Sequence, residues 1–166
     1  MTAAWSRVFG SLDQNPDPAR LERATTELVP QARVHLKGDD LGWYHAEIRW
    51  GDGSPLIIET FGQADPSVRN KLNKWAAKIE TWDNSPNVPM LMEKVALAKQ
   101  VITLRRPIDH RDELGLDRLM SGLAQHLALE TDGVYEIDEA RFFDKNGGLL
   151  LEKKNDCGLE PGFRFT

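Results

Sequence analysis

The sequence is poor in the residues that mark particular compartments and chemistries. A single cysteine, Cys157, stands among 166 residues, so no intrachain disulfide can form and a structural metal site of the multi-cysteine kind is excluded. The thiol reads as incidental, and the expected setting is reducing and cytoplasmic. No run of about 18 apolar residues occurs, and Met1 to Arg7 lacks the charged and apolar regions of a secretory leader. No membrane association is expected. Positive charge is also in deficit. Lys and Arg total 21 against 26 Asp and Glu, a net charge of −5, the opposite of the basic footprint that releases counterions from nucleic acid. Nucleic-acid binding is therefore disfavoured. Neither a Gly-x-Gly-x-x-Gly nor a Walker sequence is present, and His35, His45, His110 and His126 form no His-x-x-x-His or His-Glu-x-x-His pair. No cofactor and no metal are expected.

What is present is an ordinary globular composition, 40% hydrophobic and 28% charged. A chain of this size buries about 70% of its unfolded surface and needs no metal or disulfide staple. The expected organisation is one α+β domain over residues 1–166, with the polar, proline-bearing segment 83–89 as the place for a lobe boundary.

Trp5, Val8, Phe9 and Leu12 fall at helical spacing and predict a short helix over residues 2–12. Asp17-Pro18 and Asp65-Pro66 are cap-then-proline signatures. They open helices over 18–29 and 66–81, the second carried by Val68, Leu72, Trp75, Ile79 and Trp82. Alternation over Arg33–Lys37 and Trp43–Trp50, with Tyr44, Ala46, Ile48 and Trp50 on one face, predicts strands. Gly51-Asp52-Gly53-Ser54 joins the second of these to Leu56–Phe61 as an antiparallel hairpin. Met90–Ala98 fits a helix or an extended segment. Gln100–Arg106 reads as a strand, Leu116–Leu127 as a helix closed by Gly133 in a left-handed conformation, and 134–137, 141–143 and 149–152 as short strands. The last residues read as irregular. This order predicts a mostly antiparallel sheet with helices packed on one face, ferredoxin-like in its leading form, with extra N-terminal helices. In element order alone it resembles small bacterial α+β domains, immunity-type binding proteins among them, a resemblance that carries no site residues.

Two groups of residues could carry a function. On the strand holding Tyr44 and Trp50 inward, Trp43, His45, Glu47 and Arg49 would share the outward face. An exposed tryptophan beside mixed charges is a composition found at binding hot spots. The alternatives are a solvated strand face and a Trp43 covered by a terminal segment. The densest cluster of ionisable groups is Asp109-His110-Arg111-Asp112-Glu113, where His110 and Asp112 could act as acid and base; the favoured reading is that these acids cap the helix that follows. Lys71, Lys74 and Lys78 form a basic stripe that reads as a solvated helix face or a contact for an acidic partner.

With no convergent catalytic set, the sequence favours a non-enzymatic module that binds a protein partner or a second copy of itself through Trp43, His45, Glu47 and Arg49. The alternatives are a small cytosolic hydrolase using the 109–113 loop, and a small-molecule sensor with its groove between sheet and helix.

Overall fold

The computed structural model describes residues 5–82 and 85–153. In chain order the elements are β1 (Trp5–Gly10), α1 (Pro18–Leu28), β2 (Arg33–Asp39), β3 (Gly42–Arg49), β4 (Leu56–Gly62), α2 (Pro66–Glu80), α3 (Val88–Ala96), β5 (Gln100–Arg105), α4 (Glu113–Thr131), β6 (Val134–Ile137), β7 (Arg141–Asp144) and β8 (Leu149–Glu152). Cys157, Phe163 and Phe165, and the start of the helix expected over 2–12, lie outside the described residues. Among the described residues no helix is long and apolar enough to cross a membrane.

The fold is α+β. One eight-stranded sheet runs β2-β3-β4-β5-β1-β6-β7-β8, and every neighbouring pair is antiparallel. This order is not the split βαβ arrangement of a ferredoxin-like sheet. Two meanders, β2-β3-β4 and β6-β7-β8, flank the central strands β5 and β1.

The segment expected as an N-terminal helix is the strand β1, held between β5 and β6. A central strand buried on both faces loses strict alternation. Val8 packs toward α1 and α4, whereas Phe9 packs toward α2 and α3. Their adjacency imitated a helical stripe.

The helices are likewise not confined to one face. One core joins α1 and α4 to Val8, Ile58, Ile102, Leu104 and Tyr135. The other joins α2 and α3 to Phe9, Val101, Val134 and Phe142. In the second core Phe9 and Trp75 meet edge to face at 5.7 Å and Trp82 lies 5.5 Å from Phe142. On this face α2 and α3 pack against β5, β1, β6, β7 and β8, with Phe61 of β4 at the edge of their core, and no residue of β2 or β3 takes part in it.

Local signals set most boundaries. Asp17 and Asp65 cap α1 and α2 through the amides of Ala19 and Ser67 at 2.9 and 3.0 Å, each followed by proline. At the end of α4 the left-handed residue is Asp132, with φ 52°, rather than Gly133. The glycine is required for another reason, since a Cβ there would run into the carbonyl of Phe9 on β1.

Candidate functional site

Register brings the chemistry together on the half-open face. Along one cross-sheet row stand Lys37 (β2), His45 (β3), Glu59 (β4), Thr103 (β5), Arg7 (β1) and Glu136 (β6), each the direct partner of the next. In an antiparallel sheet such direct partners share a face and touch. The His45 ring lies 3.6 Å from Glu59 and 3.5 Å from Glu47.

Where the open and covered parts of this face meet, α2 overhangs β4, β5 and β1 and leaves a cleft of about 360 Å³. Its floor is Trp5, Phe9, Phe61 and Val101; its wall is Val68, Leu72 and Trp75 of α2; its polar groups are Arg7, Glu59, Lys71, Lys74 and Thr103. An apolar cavity with a few convergent polar groups is the usual form of a ligand site. The lysines expected as a solvated stripe are exposed, yet two of them form its rim. Lys71 sits 5.5 Å over the ring of Phe61, and Lys78, just beyond the rim, 4.7 Å over Trp75 and 2.9 Å from Glu139.

Arg7 is the inner charge of the cleft. Its guanidinium lies between the rings of Trp5 and Trp75, at 5.6 and 5.2 Å, an arrangement attractive for a delocalised cation. Its Nη1 donates to Glu136 at 3.1 Å. Glu136 has no solvent exposure. Burial pushes its carboxyl up to about 7, against the opposing pull of Arg7 and of the Glu139 amide, which donates to it at 2.8 Å. That amide belongs to a tight turn in which Asp138 and Glu139 both take left-handed conformations, φ 64° and 52°, a strained pairing for two residues that are not glycine. A perturbed carboxyl with a specific partner beside a cleft is a mark of a functional site.

The residues expected at a binding face are split. His45, Glu47 and Arg49 do share the open face, with Arg49 donating to Glu47 at 2.7 Å and holding its carboxylate below the usual range. Trp43 is on the opposite side and is buried, 6% exposed. Its indole donates to the Pro16 carbonyl at 2.9 Å, and its own carbonyl accepts from Asn15 at 2.5 Å. The cause is a β-bulge: Lys37 pairs with His45 but Gly38 with Trp43. Tyr44 is thus an extra residue, half exposed, and the alternation of β3 reverses there.

The 109–113 loop is a clasp. His110 is buried and uses both ring nitrogens: Nδ1 accepts from the Asp112 amide at 3.1 Å, and Nε2 donates to the Trp50 carbonyl at 2.7 Å. Asp112 accepts from the Trp50 indole at 2.9 Å and caps α4 through the Gly115 amide at 3.0 Å. Asp109 accepts from the amide and hydroxyl of Ser54. These bonds hold both carboxyls below their usual range, away from the near-neutral value that acid-base work requires. A depression of about 490 Å³ lies nearby, bordered by Ile57, Arg105, Ile108 and Asp109 but by neither His110 nor Asp112.

Sequence reasoning missed Arg7 and Glu136. The signal for Glu136 is a carboxylate inside the apolar run Val134-Tyr135-Glu136-Ile137. For Arg7 it is the alternation of Trp5, Arg7 and Phe9, which a two-residue period would have shown. Among the described residues no cluster of three or more His, Cys, Asp or Glu is arranged to hold a metal ion. Comparison with protein-family models, curated proteins and solved structures finds no match to this chain.

Proposed function

We propose that this protein is a non-enzymatic binding module whose site is the cleft between α2 and the sheet, and that its ligand is a small molecule. The observation that carries this reading is the cleft itself: apolar on floor and wall, with Arg7 set inside it between two tryptophans. Of the alternatives open to the sequence, a groove between sheet and helix favours the small-molecule reading over a protein-binding strand face. Burial of Trp43 removes the aromatic anchor from the His45, Glu47 and Arg49 surface. The hydrolase reading loses its acid and base to the capping clasp at Trp50.

The test is an NMR titration of the full chain with 2-naphthoate, 2-naphthamide and 2-naphthylmethylamine, which share a bicyclic body and differ in charge. At least one should shift the indole N–H signals of Trp5 and Trp75 saturably while those of Trp43 and Trp50, on the other face, stay still. Thr103→Phe, which fills the cleft, should abolish the shift without changing the circular dichroism spectrum. Failure of all three probes, or shifts that survive Thr103→Phe, would sink the reading.

A further inference from the structure

We propose that the cleft takes a small aromatic or aliphatic carboxylate, its carboxylate group meeting Arg7 and the lysine rim and its body lying on Phe9, Leu72 and Trp75. The inference rests on the cleft being the binding site and adds the chemical class of the occupant.

Three observations carry it. The first is size: at about 30 Å³ per water-sized group, a 360 Å³ cleft holds about a dozen non-hydrogen atoms, a one- or two-ring body with one polar group. The second is charge. Arg7, Lys71 and Lys74 line the cleft against one carboxylate, Glu59, and among the described residues neither Lys71 nor Lys74 has an ion-pair partner within 4.0 Å. A cationic or uncharged ligand would leave this excess unused. The third is donor geometry. A guanidinium carries five N–H donors in a planar fork that suits a carboxylate, and among the described residues Arg7 commits only Nη1, to Glu136.

Glu136 is then a positioning residue. It holds Arg7 from behind and, when ionised, offsets the charge that an incoming carboxylate meets. The charged groups around it are Arg7 from β1 and Glu139 from the β6–β7 turn, with Lys78 of α2 and Lys153 acting on Glu139. Replacing it with glutamine keeps an oxygen for Arg7 and the Glu139 amide but removes the competing charge.

The experiment compares 2-naphthoate with 2-naphthamide on the full chain, reading the Trp5 and Trp75 indole signals. The acid should bind at least about tenfold more tightly than the amide, consistent with a charge-assisted contact. Glu136→Gln should tighten the acid by about threefold or more at pH 8 and leave the amide unchanged, an effect that a merely structural role would not produce. Lys71→Glu with Lys74→Glu should weaken the acid alone. Equal affinity for acid and amide overturns the carboxylate inference and leaves the cleft as a binding site. Silence from both, and from the amine, overturns both readings. A synthetic peptide of residues 155–166 that displaces 2-naphthoate would assign the cleft to the chain's own last residues and overturn the free-ligand proposal.

Discussion

Glu136, without solvent exposure, accepts a hydrogen bond from Arg7 at 3.1 Å across the β1–β6 ladder. Its carboxyl sits at about 7 in the folded protein against 4.5 for an ordinary glutamate. The folded state therefore holds this proton more tightly than the unfolded one, so the group favours folding fully below about pH 4.5 and loses that advantage as pH rises through about 7. Urea unfolding of the wild type and of Glu136→Gln should diverge across this window. The variant should gain about 3 kcal/mol relative to the wild type between pH 4.5 and pH 8. Parallel stability curves would contradict the buried acid.

The bulge at Tyr44 makes neighbouring aromatics unequal. Trp43→Ala should cost about 3–5 kcal/mol, because it empties a buried site and orphans the Pro16 carbonyl. Tyr44→Ala, at a half-exposed position, should cost less than about 1 kcal/mol. Denaturant midpoints of the two variants check the ranking, which strict alternation would invert.

Asp112 ties the indole of Trp50 to the first turn of α4. Asp112→Ala should lower the thermal midpoint by several degrees. Asp112→Asn, which keeps an acceptor for the Gly115 amide, should lower it less. Neither change should alter binding of 2-naphthoate in the cleft, and a loss of binding in the asparagine variant would tie this loop to the site.

His126 on α4 buries Nε2 without a hydrogen-bond partner among the described residues. Burial lowers its basicity, partly offset by Glu130. The unfolded chain then takes up a proton that the folded one resists, so stability falls as pH drops below the ordinary histidine value. His126→Met should stabilise by about 1 kcal/mol near pH 8, and by more at pH 5. A variant less stable at both values would show that the imidazole has a partner in solution.

Gly133 passes close to the Phe9 carbonyl where β6 begins beside β1. Gly133→Ala should cost about 1–3 kcal/mol as an overpacked contact. The amide exchange of Phe9 and Val134 should quicken with it, and unchanged exchange would place the strain elsewhere.

What the sequence determined on its own is local. Asp17-Pro18 and Asp65-Pro66 begin helices because the carboxylate satisfies amides that a helix start leaves free and proline is already bent for the first turn. Gly51 and Gly53 take positive φ between the alternating strand β3 and the apolar start of β4, so the β3–β4 hairpin was legible, as were α2, α4 and the α+β class. His45, Glu47 and Arg49 were placed together because nothing interrupts the alternation between them.

Only the tertiary structure decided the rest. The spacing of Trp5, Val8 and Phe9 fits a helix or a strand buried on both faces, and pairing with β5 and β6, some 90 and 130 residues away, selects the strand. Tyr44 is a core residue by period and a bulge by pairing, because a bulge is a mismatch between two strands and no single strand encodes it. Arg7, Thr103 and Glu136 are adjacent solely because β1 inserts between β5 and β6. The cleft is lined by residues of β1, β4, β5 and α2, which only the assembled fold brings together. Alternation and capping act over a few residues and are written in the chain; long-range pairing and the extent of coverage depend on which distant surfaces meet.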